Sequence, residues 1–78
     1  MKKDINTENT MLTADQQQIE WLLFRAPVKD SDIVKATGMS NSAVGALRRR
    51  ESKIHGIKFG NAAALTRYAL ELKKQLGM

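Results

Sequence analysis

Apolar residues recur along this chain at three- and four-residue spacings, interrupted by short polar turns, the pattern of amphipathic helices. Thr13 opens the first: its hydroxyl can accept from the backbone at Gln16, whose side chain can reach back, a capping box. Ile19, Leu22 and Leu23 supply the inner face and Trp21 and Phe24 widen it. Pro27 closes the helix because its ring disfavours helical geometry at Ala26. Trp21 reads as core rather than as a ligand platform, since large aromatics tend to bury. Asp30 or Ser31 caps a second, short helix with Ile33 and Val34 inward and Ala36 as a further inward candidate, stopped where Gly38 permits the left-handed conformation. Ser40 caps a third, running from Asn41 through the arginines with Val44 and Leu47 as its buried seam. Ile54, Ile57 and Phe59, with Gly56 and Gly60, fit no helix. Asn61 then opens a last helix to about Leu76, its inner face Leu65, Tyr68, Leu72 and Leu76. The expected fold class is all-α, a compact domain of four or five helices.

Met1 to Met11 lacks periodic apolar residues and reads as a frayed tail, with Lys2 and Lys3 offering a possible use as a minor-groove arm. No repeat, low-complexity tract or linker divides the remainder, so residues 12–78 are expected to form one domain. In a chain of 78 residues, one core supplies about 3 to 5 kcal/mol of net stability, and dimerisation would add to it. Without cysteine there is no disulfide or thiolate metal site, so helix packing must hold the fold. No apolar stretch approaches the roughly 20 residues of a membrane span, and the first residues lack a signal-peptide core. A cytoplasmic location is the expectation.

A formal charge of +5 points to an anionic partner, though the bulk value fits DNA, RNA or a membrane surface equally. The distribution narrows this. Residues 1–40 hold five Lys or Arg against six Asp or Glu, whereas residues 41–78 hold eight against two. Arg48, Arg49, Arg50, Lys53 and Lys58 lie close together, broken by Glu51, the footprint that a phosphate backbone attracts. Alone, the arginine run also fits a solvated helix end favoured by the helix dipole.

The informative stretch is Asp30 to Arg50, DSDIVKATGMSNSAVGALRRR. Five apolar residues, Ile33, Val34, Met39, Val44 and Leu47, can lock two short helices at a steep angle while Gly38 supplies a positive φ cheaply. This stretch resembles the helix-turn-helix of small bacterial and phage transcriptional regulators, and Ile57 to Leu72 looks more loosely like the closing helix of their Cro-like and Xre-like domains. Val34 and Thr37 depart from the family, which often has alanine and a larger apolar residue there, so the inter-helix angle can differ.

The resemblance implies sequence-specific binding of double-stranded DNA, with Ser40 to Arg50 offered to the major groove, by a repressor of a phage, plasmid or operon promoter. It places Ser40, Asn41, Ser42, Gly45, Ala46 and Arg49 at base edges. Asn41 has the donor–acceptor pair that reads adenine, Arg49 the fork that reads guanine, and Ala46 a methyl for thymine. Gly45, unfavourable in a helix by about 1 kcal/mol, suggests close approach to something. Lys29, Lys35, Arg48, Arg50, Lys53 and Lys58 are the candidate phosphate ligands. A homodimer would set two reading helices about 34 Å apart, one duplex turn.

Competing readings remain. A winged helix would need two strands within Ile54 to Gly60, too short a segment. The last helix can close the core, form a dimer seam through Leu72 and Leu76, or lie on a membrane. The same reading face would serve an architectural or recombination factor, and the same fold a protein-binding module with a protein partner. Catalysis has little to stand on: His55 is the one histidine, Asp30 and Asp32 are explained by helix capping, and Gly56 and Gly60 make no phosphate loop. Nothing calls for a cofactor or metal.

Overall fold

The computed structural model describes residues 12–78, so the expected tail and its Lys2 and Lys3 lie outside the described residues. The fold is all-α. Four α-helices, α1 (Ala14–Phe24), α2 (Asp30–Thr37), α3 (Asn41–Arg48) and α4 (Phe59–Leu76), are joined by turns, with one 3-10 turn at Ile54–Gly56 and no strand among the described residues. The segment weighed as a wing, Ile54 to Gly60, therefore contains that turn and the first two residues of α4, and no strand.

Local chemistry accounts for most of the boundaries. The Thr13 hydroxyl accepts from Gln16 N–H at 3.1 Å while Gln16 Oε1 accepts from Thr13 N–H at 2.9 Å, so the capping box at α1 is complete. α2 begins one step from the expected caps. Lys29 holds the N-cap position, Asp30 is the first helical residue, and Asp32 reaches back to accept from Lys29 N–H at 3.0 Å. At its other end Gly38 has φ +78° and donates to the Val34 carbonyl. Thr37, where a larger apolar residue was the family's habit, donates its hydroxyl to the Ile33 carbonyl at 2.6 Å and accepts from Met39 N–H at 3.2 Å, tying down the turn.

Gly38→Ala tests that turn in isolation, because an added Cβ would meet nothing within 4 Å. Only the backbone penalty remains, and the substitution should cost about 1 to 2 kcal/mol in urea denaturation. A neutral result would mean that the turn can change conformation freely.

One core joins the four helices. Ile19, Leu22 and Leu23 of α1, Ile33 of α2, Val44 and Leu47 of α3, and Leu65, Ala69 and Leu72 of α4 are buried, with Ala26 and Met39 from the connections, and among the described residues no polar side chain is buried with them. α1 packs most extensively on α4, and α2 packs on both α3 and α4. Trp21 lies half-buried at the rim of the core, where Lys73 of α4 places its ammonium 4.9 Å from the ring and donates to Gln18 at 2.6 Å. Three expectations are corrected. Ala36 is exposed; Leu76, in the last turn of α4, is 46% exposed; and α4 starts at Phe59, two residues before Asn61, with Phe59 itself 89% exposed.

Candidate nucleic-acid interface

α2 and α3 form a helix–turn–helix hairpin closed at both ends. The Gly38 turn joins them on one side. On the other, Arg48 at the end of α3 donates to Asp30 at the start of α2 at 2.9 Å and to the Val28 carbonyl at 3.3 Å. Ile33, Met39, Val44 and Leu47 are buried and Val34 packs against them. The apolar lock read from the sequence is therefore in place, and it turns one face of α3 outward.

That face carries the expected reading residues unequally. Asn41 and Ser42, in the first turn of α3, are exposed. Ser40 is exposed too, but its oxygen accepts from Ala43 N–H at 3.1 Å as the helix cap, leaving its hydroxyl hydrogen to donate outward. Ala46 is half-buried, and Gly45 is buried. Arg49 lies just past the helix, where its backbone donates to the Gly45 carbonyl. α3 thus ends at Arg48 rather than running on to Arg50.

The three consecutive arginines do not make one patch. Arg48 is spent on the hairpin, so its expected role at phosphate gives way to fastening α3 to α2. Arg49 donates from Nε and Nη2 to the two oxygens of Glu51 at 3.0 and 3.2 Å. This pairing holds the Glu51 carboxyl below its ordinary value and raises the Arg49 guanidinium, in both cases through the hydrogen bond first and the charge second. Arg50 stacks its guanidinium 4.0 Å from the centre of the Phe24 ring.

Backbone geometry explains the divergence. Arg50 adopts φ +60°, a left-handed position usually given to glycine, while Glu51 N–H donates to the Ala46 carbonyl and Arg50 N–H to that of Leu47. These two bonds form a Schellman closure, which throws Arg50 toward α1 and brings Glu51 back beside Arg49.

The lysines complete the electrostatics. Lys29 and Lys35 are exposed on and before α2. Lys53 and Lys58 are exposed and line one shallow groove together, against Ala43 and Leu47 of α3. Lys53 also borders a second groove with Arg50 and His55. Cationic side chains thus flank α3 at its sides, while polar ones occupy its outward face. No protein-family profile, characterised protein or solved structure matches this chain. Among the described residues no group of histidines, cysteines and carboxylates could hold a metal, and no helix is long and apolar enough to cross a membrane.

Glu51 is the residue that sequence reasoning passed over. It registered only as a break in a basic run, yet it is the partner of the principal candidate base reader. Two residues apart on a helix, the side chains would diverge, so the signal lay in the turn and not in the spacing.

Proposed function

We propose that this chain binds double-stranded DNA sequence-specifically and acts in the cytoplasm as a transcriptional repressor of a phage, plasmid or operon promoter, with α3 in the major groove. The observation that carries this reading is the outward face of α3. Asn41 and Ser42 stand exposed in its first turn and the Arg49 guanidinium follows, on a helix whose opposite side is locked into the core. Asn41 matches the adenine edge, Arg49 the guanine edge, and Ser40 and Ser42 can donate to either a base or a phosphate. Lys29, Lys35, Lys53 and Lys58 neutralise the flanking phosphates, and Arg50 joins them from its seat on Phe24. The reading face is short, which favours a homodimer. Leu72 is buried within the monomer, so the seam falls to Leu76 at the exposed end of α4 and to Met78 just beyond it.

Selection from a randomised duplex library at two salt concentrations tests this. The wild type should enrich a motif, and Asn41→Ala should relax it at one base pair by roughly 5- to 150-fold, the worth of one bidentate contact. Binding that enriches nothing and fades with salt would reject sequence-specific regulation and favour an architectural factor. Absence of binding would favour a protein-contact role, for which Phe59 and Leu70, 89% and 51% exposed, are the available surface.

A further inference from the structure

Gly45 stands on the outward face of α3, between Asn41 and Arg49 in helical projection, and yet it is buried. Its cover comes from one turn further on. A Cβ built at Gly45 would meet Arg49 Nη1 at 2.8 Å and Cζ at 3.5 Å. The guanidinium therefore lies along the helix surface, over the one residue there without a side chain. Glu51 holds it by a single edge, taking the hydrogens of Nε and Nη2 on its two oxygens. The planar group has a second donor edge, between Nη1 and Nη2, which Glu51 does not use. Its spacing matches the O6 and N7 acceptors of guanine.

We infer that Glu51 is the positioning residue for base readout: by gripping the Nε and Nη2 edge, it fixes the Arg49 fork over Gly45 and reserves the other edge for guanine. The inference rests on the DNA-reading proposal above and assigns to Glu51 the sharpening of its specificity. Three physical effects act together. An ungripped arginine keeps its rotamers until binding and must lose them then, whereas the Glu51 fork has ordered the group beforehand. A carboxylate beside the guanidinium repels phosphate oxygens, so Arg49 is turned away from the sequence-independent backbone and toward neutral acceptors. A base offering a donor in place of guanine's acceptors then faces a cationic edge that must leave Glu51 before it can swing aside. Arg48 and Arg50 cannot substitute, because Asp30 and Phe24 occupy them.

The test measures affinity for the duplex selected by the wild type, for the same duplex with the guanine pair read by Arg49 changed to A·T, and for random DNA. The proteins are wild type, Arg49→Ala, Glu51→Ala, Glu51→Gln and the double alanine variant. Each is first checked by circular dichroism, and since Arg49 and Glu51 are both exposed, all should fold. Glu51→Ala should lose at least about five-fold in discrimination between the two specific duplexes, the low end of one bidentate contact. At the same time it should bind random DNA more tightly, since a negative charge has left the interface. A general loss of structure would lower both. Glu51→Gln, which keeps an acceptor without the charge, should fall between. In the Arg49→Ala background, Glu51→Ala should change discrimination no further.

Undiminished discrimination in Glu51→Ala, or a Glu51 effect that persists without Arg49, overturns the inference and leaves the DNA reading standing. So does a selected motif in which Arg49→Ala relaxes no position. A wild-type chain that selects no motif overturns both.

Discussion

Ile33→Ala is expected to leave a large share of this domain unfolded in water at about 25 °C. Ile33 is fully buried, and it is the single buried residue of α2. Truncating it removes roughly 2 to 5 kcal/mol through lost transfer energy and the cavity left behind. A domain of this size has about 3 to 5 kcal/mol to lose. The packing around the site offers little relief, because the other side chains of α2 are exposed or, like Val34 and Thr37, only partly buried. Ile33→Val removes one methyl group, costs about 0.5 to 1.5 kcal/mol, and should shift the urea midpoint while keeping a cooperative transition. Far-UV circular dichroism against urea checks both. If Ile33→Ala came within about 1 kcal/mol of the wild type, α2 would be held by something other than its buried face.

Gly45→Ala should move two properties in opposite directions. Alanine is preferred to glycine within a helix by about 1 kcal/mol. The atom that a new Cβ would strike is the tip of an exposed, flexible side chain, Arg49 Nη1 at 2.8 Å, which can move away cheaply. Displacing it loosens a solvent-screened surface ion pair that adds little to stability, so most of the helix preference is kept and the net effect is a gain of some tenths up to about 1 kcal/mol. The melting temperature should rise by a few degrees, at roughly 4 to 8 °C per kcal/mol for a domain of this length. If Arg49 reads a base as proposed, discrimination at that position should fall in the same protein, because the seat of the guanidinium has been filled. A variant that melts lower than the wild type, or that is more stable yet discriminates as well, would contradict this account of why glycine stands there.

The helical hairpin and its core could be read from the sequence because their signals are local. Thr13 with Gln16, Gly38 after α2, and Ser40 before α3 are each a short motif whose hydrogen bonds close within four residues. Ile33, Val44 and Leu47 followed from spacing alone. The start of α4 did not. Phe59 carries a core-type side chain but points to solvent, and Gly60 resembles a breaker although it sits in the first turn, where backbone N–H groups lack intrahelical partners anyway. The candidate interface was legible at Asn41 and Ser42, and not in the arginine run. Three identical neighbours acquire three different partners, Asp30, Glu51 and Phe24, because a left-handed Arg50 turns the chain sharply where a straight helix would have fanned them out. Non-glycine residues rarely take that conformation, so composition gave no hint of it.

The pairing of α1 with α4 has a consequence for synthesis. Of the described helices, the first to leave the ribosome finds its main packing surface on the last, and α2 also leans on α4. Until Leu65, Ala69 and Leu72 have emerged, α1 lacks its main cover and α2 has only the part that α3 supplies, so the nascent chain completes its core late. The α2–α3 hairpin is therefore not a module that could be excised and kept: cut away from α4, residues 12–58 would leave the ribosome as client material for chaperones.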